Sequence, residues 1–103
     1  MEEEINKIQP FYVLKLYITG ATPNSVRAIN NIKNICEKYL KNNYELEIID
    51  VYQQPLVAKK EQVIALPLLI KFSPLPLKRL IGNMSDKEKV LKGLELLESD
   101  NLI

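Results

Sequence analysis

Lys71-Phe-Ser-Pro-Leu-Pro-Leu-Lys-Arg-Leu-Ile-Gly-Asn-Met-Ser-Asp-Lys-Glu-Lys-Val-Leu-Lys-Gly-Leu-Glu-Leu-Leu97 is the stretch on which the fold turns. Pro74 and Pro76 cannot donate to a ladder, so they separate Lys71-Phe72 from the short apolar and basic run Leu77 to Ile81, which Gly82 stops. That pattern reads as a hairpin. Ser85-Asp-Lys-Glu88 has the form of a capping box, with Ser85 as N-cap and Glu88 three residues on. The helix it opens would carry Val90, Leu91, Leu94 and Leu97 on one stripe. Gly93 opposes that helix, because glycine in a helix interior costs about 1 kcal/mol relative to alanine. At period two the same residues give Val90, Lys92, Leu94 and Leu96 on one face, which is a strand. Both readings stay open.

Upstream the signals are clearer. Val63 to Phe72 is less so: its apolar content reads as a strand, but Ala, Leu, Lys and Gln in this region are also good helix formers, and Pro67 within it predicts an edge, a bend or a cis bond at a strand start. Gln54-Pro55 opens a short helix over Pro55 to Gln62, with Leu56 and Val63 expected inside. Tyr44 to Val51 alternates through Tyr44, Leu46 and Ile48 and is a strand. Before it, Thr22 as N-cap and Pro23 at the first helical position start a helix whose apolar stripe is Val26, Ile29, Ile32, Ile35, Cys36, Tyr39 and Leu40. Asn42-Asn43 ends it. Phe11 to Ile18 is apolar on both faces and is expected at the centre of a sheet. Residues 1–10 read as a flexible acidic tail, 11–98 as one domain and 99–103 as a short tail.

Strand, helix, strand within about forty residues is by default a right-handed βαβ unit with parallel strands. Adding αββα gives an α/β chain of order βαβαββα, the order of a thioredoxin-like fold. The competing reading places helices across Lys60 to Lys87 and a strand over Val90 to Leu97.

The composition removes several function classes. At 103 residues the chain is one domain, able to bury roughly two thirds of its unfolded surface. A formal charge of +1 gives no footprint for nucleic acid. The acidic start Met-Glu-Glu-Glu is unlike a signal peptide, and the apolar run from Val63 to Ile70 is far shorter than the roughly 20 residues of a spanning helix. No membrane partner and a cytoplasmic location are the expectations. With one cysteine and no histidine, there is no Ser-His-Asp triad, no histidine-ligated zinc and no internal disulfide. Gly20, Gly82 and Gly93 form no phosphate-binding loop. Neither a cofactor nor a catalytic residue is expected.

Tyr12-Val-Leu-Lys-Leu-Tyr-Ile-Thr-Gly-Ala-Thr-Pro-Asn-Ser-Val-Arg-Ala28, Ile49-Asp-Val51 and Pro74-Leu-Pro-Leu-Lys-Arg-Leu-Ile-Gly-Asn-Met-Ser-Asp-Lys-Glu-Lys-Val-Leu-Lys-Gly-Leu94 resemble the circadian clock protein KaiB family, in order over residues 11–97. The resemblance implies a non-enzymatic regulator of KaiC, a ring-forming RecA-type ATPase and autokinase. It also implies two folds: a self-associated βαββααβ state, dimer or tetramer, and a monomeric βαβαββα state that binds the ring. Three departures bear on partner choice. Leu66-Pro67-Leu68 replaces Thr-Pro-Thr, Asn83 stands for the usual aspartate, and only Glu98-Ser-Asp-Asn-Leu-Ile103 remains of an acidic tail. A KaiC-like partner in a stress or timing pathway is therefore expected as readily as a clock.

Carried over residue by residue, the resemblance implies partner contacts at Arg27, Lys71, Lys78 and Arg79, against the plain reading of these charges as a solvated face. Pro67, Pro74, Pro76 and Gly93 are the candidate switch positions, since X-Pro exchange takes tens of seconds or more. The same prolines serve equally as turn formers. Tyr17 and Cys36 read as core. The rival function is a thiol-disulfide oxidoreductase, which needs Cys-x-x-Cys where Gly20-Ala-Thr-Pro-Asn-Ser25 stands. A second rival is a sensory adaptor competing for the same ring; with no kinase after Ile103, it is expected to be free-standing.

Overall fold

The computed structural model describes residues 10–63 and 65–96. The elements run β1 (Tyr12–Ile18), α1 (Pro23–Tyr39), β2 (Tyr44–Asp50), α2 (Pro55–Lys60), β3 (Leu68–Ser73), β4 (Lys78–Ile81) and α3 (Lys87–Gly93). This is the βαβαββα order. Of the two readings of residues 87–93, the helix is the one found here. The expected tails at 1–9 and 99–103, and the stripe residue Leu97, lie outside the described residues.

β1 is central in a sheet of order β2-β1-β3-β4. It pairs in parallel with β2 through Tyr12↔Tyr44 to Ile18↔Asp50, and antiparallel with β3, with a bulge between Val13 and Leu14. Its two faces feed two cores. Tyr12, Leu14, Leu16 and Ile18 pack against α1 and α3 together with Leu69, Met84, Val90, Leu91 and Leu94. Tyr17 joins Ile49, Leu68 and Ile70 on the opposite face, under α2.

α1 begins as its local chemistry requires. Thr22 is the N-cap, its hydroxyl accepting from the Ser25 N–H, and Pro23 follows at the first turn. Its buried arc is Ser25, Ala28, Ile32, Ile35 and Cys36, where each fully buried Ile contributes about 1.5–3 kcal/mol. Val26 does not belong to that arc: it is 45% exposed, because one step along a helix turns the side chain about 100° away from Ser25. The same offset corrects α2. Leu56 is 79% exposed, while its neighbour Val57 and the later Val63 turn toward the second core.

β3 starts after Pro67 rather than at Val63, and the Leu66-Pro67 peptide is cis, as are Ser73-Pro74 and Leu75-Pro76. Antiparallel pairing with β4 runs from Leu68↔Ile81 to Lys71↔Lys78. Gly82 ends β4 at φ +118, a backbone conformation that favours glycine. The cap of α3 also differs from the expected one. Asp86, not Ser85, is the N-cap, and its carboxylate accepts from the Lys89 N–H at 3.2 Å. The Ser85 N–H donates instead to Asn83 Oδ1 at 3.0 Å, so the helix begins one residue later.

α3 is held to the sheet by Val90, Leu91 and Leu94 and by one long-range bond, from the buried Tyr12 hydroxyl to the Leu94 carbonyl at 2.8 Å. Burial, with a smaller contribution from Glu95, raises the Tyr12 pKa, so the phenol stays protonated as a donor. Among the described residues no helix is long and apolar enough to cross a membrane.

Candidate partner-binding surface

The basic residues singled out from sequence do not form one patch. Lys78 and Arg79 lie exposed on β4, at the open edge of the sheet. Arg79 is anchored there: Nη2 donates to the Glu61 carbonyl at 2.6 Å and Nη1 to the Gln62 carbonyl at 3.4 Å. Its guanidinium thus fastens the end of α2 to the hairpin. Arg27 sits apart on α1, with Nη1 bonded to Asn24 Oδ1 at 3.1 Å.

Lys71 corrects the expectation for it. Pairing opposite Leu14 puts its side chain on the α1 and α3 face of the sheet, where it is 0% exposed. Its Nζ has no hydrogen-bond partner among the described residues and lies 5.9 Å from the Tyr12 ring centroid. In this arrangement Lys71 cannot touch a partner.

Sequence reasoning missed what surrounds Arg79. A groove of about 650 Å³ opens beside β4, lined by Lys59, Val63, Ala65, Arg79 and Ile81 among others. Ile81 is 61% exposed. The signal was present as a basic and an apolar residue, Arg79 and Ile81, two apart on one strand, but only the sheet order makes β4 an edge.

At the turn from β1 into α1, where a redox protein of this element order would carry two thiols, two hydroxyls face each other instead. Thr22 Oγ1 donates to Ser25 Oγ at 2.8 Å, and the buried Ser25 also accepts from the Thr19 N–H at 3.2 Å. Cys36 lies elsewhere on α1, fully buried, with burial and then the Glu37 charge pushing its pKa up to about 12. A thiol so raised is inert at neutral pH. No cluster of His, Cys, Asp or Glu able to hold a metal occurs among the described residues.

The family model described as KaiB domain matches residues 15–96. The chain belongs to the KaiB family. It is 48% identical over 98 residues to the circadian clock oscillator protein KaiB of a Picosynechococcus species, covering 95% of this chain and 94% of that one. Against KaiB of Synechococcus elongatus it is 51% identical over 86 residues, 84% of each chain. Among solved structures, the N-terminal domain of Synechococcus elongatus SasA superposes with a TM-score of 0.68 at 22% identity, covering 88% of this chain and 90% of that one. The Drosophila melanogaster thioredoxin Deadhead gives 0.68 at 14% identity, covering 93% and 90%. These likenesses show the thioredoxin-like fold. The KaiB family fits the turn at Thr22 and Ser25, which has the shape of that fold without its thiols.

Proposed function

We propose that this KaiB-family chain is a non-enzymatic regulator that binds a KaiC-type RecA-like ATPase ring and modulates its phosphorylation state, in a circadian clock or a related timing or stress pathway of the cytoplasm. The observation that carries the reading is the exposed Lys78 beside the exposed and anchored Arg79 on the edge strand β4, within the segment that the family model matches. Basic groups held on a defined backbone steer toward an acidic protein surface and form charge-assisted bonds there. Arg27 is a secondary contact on α1.

The second part of the proposal is that the C-terminal half, with Pro67, Pro74, Pro76 and Gly93 as the switch positions, exchanges between this packing and a self-associated one, dimer or tetramer. Two features support it. α2 contributes no buried residue, and the seven-residue α3 buries only Val90 and Leu91. Binding can select between two packings only if they differ by a few kcal/mol.

Size-exclusion chromatography of the protein with and without the host's KaiC-like ATPase and ATP tests the reading. Co-elution that appears slowly and is lost in Lys78→Glu/Arg79→Glu is expected. Absence of co-elution after prolonged incubation rejects it.

A further inference from the structure

The Gly82 N–H donates to the Pro67 carbonyl at 2.9 Å, and this single bond sets the phase of the whole hairpin. Directly opposed residues of an antiparallel pair alternate between exchanging both backbone bonds and exchanging none. Pro67 and Gly82 being a bonded pair, Leu69↔Leu80 and Lys71↔Lys78 are bonded too, in the register Leu68↔Ile81 to Lys71↔Lys78. Arg79 and Ile81 are the residues left over. Their N–H and C=O groups point away from β3, at the edge of a sheet in which β4 has no further neighbour among the described residues.

The side chains of the same two residues line the groove beside α2, with Lys59, Val63 and Ala65. An outward-facing ladder and a groove for alternate side chains therefore coincide. We infer that the free edge of β4 is a docking site for an extended acidic segment of a partner protein, which adds to the sheet as a fifth strand on Arg79 and Ile81. This rests on reading the Lys78 and Arg79 edge as a partner surface, and specifies how that surface is used.

Charge decides the occupant. Lys59, Lys78 and Arg79 are exposed around the edge, with the half-buried Glu61 as the nearby acid. A second copy's β4 would bring like charges face to face, the device by which natural edge strands block self-pairing. A strand carrying Glu or Asp on the groove side meets Lys59 and Arg79, while backbone bonds supply affinity independent of sequence.

The test uses Glu-Val-Glu-Val-Glu-Val-Glu-amide, with fluorescein on its N-terminal amine, as probe, read by anisotropy. Binding to the native protein is expected. It should weaken at least tenfold when the three central amides of the peptide are N-methylated, and vanish when lysine replaces glutamate. Ile81→Pro removes an outward N–H without touching the β3 ladder, and should weaken binding at least tenfold with the circular dichroism spectrum retained. The peptide arms leave the protein unaltered, so they stand even if that variant misfolds. Equal affinity for the N-methylated peptide overturns the inference, as does a concentration-dependent homodimer at this edge that the peptide does not displace. If the ATPase ring still co-elutes with a folded Ile81→Pro that has lost the peptide, strand addition stands and the ring uses another surface. If the native protein ignores the peptide while the ring co-elutes, strand addition fails and the regulator reading stands.

Discussion

Gly93 on α3 lies directly over Leu80 on β4: a Cβ at position 93 would come within 2.6 Å of Leu80 Cδ2 and 2.8 Å of Cδ1, with Cγ at 3.1 Å. The glycine therefore has a packing role in this fold, beyond any weakening of its helix. On helix propensity alone, Gly93→Ala should favour the thioredoxin-like packing. The contact reverses that expectation, because both methyls of a half-buried side chain must move.

Gly93→Ala is accordingly expected to lower stability by a net ~1–2 kcal/mol, overpacking of about 1–3 kcal/mol outweighing a propensity gain of at most about 1. Combining it with Leu80→Ala should remove the clash, so that the two changes are non-additive in urea denaturation. A single variant with a higher urea midpoint than the native protein would show that Leu80 yields freely.

Lys71→Met should stabilise. Lys71 Nζ is fully buried and has no hydrogen-bond partner among the described residues, a situation that costs about 1–3 kcal/mol or more. Methionine keeps the length of the chain and fills the same space. An unchanged or lowered urea midpoint would mean that the contact with the Tyr12 ring already offsets the burial.

Stability should fall in alkali. Burial is the main reason that Cys36 rises from 9.0 to about 12 and Tyr17 from 10.0 to about 12, with Glu61 and Glu47 adding to the latter. Both groups hold their proton more tightly folded than unfolded, so the unfolded chain releases it first. Stability from this source is complete below pH 9 and is lost as pH climbs toward 12, by about 1.4 kcal/mol per pH unit for each proton of difference. Tyr17→Phe deletes a buried hydroxyl that has no partner among the described residues. Urea midpoints from pH 8 to 11.5 should decline less steeply in that variant, with no loss at pH 7; parallel declines would assign the effect elsewhere.

Thr22→Cys/Ser25→Cys should create a disulfide where the two hydroxyls now sit 2.8 Å apart. Oxidation would lower the mass by about 2 Da, reversed by dithiothreitol. The native protein should leave insulin unreduced, since Cys36 is buried and its pKa is raised. Turnover by the native chain would reopen the oxidoreductase reading.

Much of the fold is written in short-range chemistry. Thr22 and Pro23 start α1, Pro55 starts α2, Gly82 ends β4, and the apolar faces of β1 anticipate its central place. What sequence reading missed falls into two kinds. Val26, Leu56 and Ser85 are each displaced by one residue from the position that matters, because an apolar stripe or cap pattern fixes a helix only to about one step of rotation. Lys71 and Gly93 depend on tertiary neighbours: nothing local tells a buried lysine from a solvated one, or a weak helix residue from one crossing Leu80. The candidate surface was legible as residue types at Lys78 and Arg79. The groove beside them depends on α2 and β4 meeting, which their separation in sequence conceals.

The central position of β1 has a consequence during synthesis. Its β2 partner and its β3 partner emerge at different times, and the last residue of β3, Ser73, follows Ile18 by 73 − 18 = 55 residues. At roughly 5–20 residues per second the nascent strand waits about 3–11 s with one flank uncovered. For those seconds the emerging sheet is half-finished, and the β3 flank of β1 is open to whatever chaperone or neighbouring chain reaches it first.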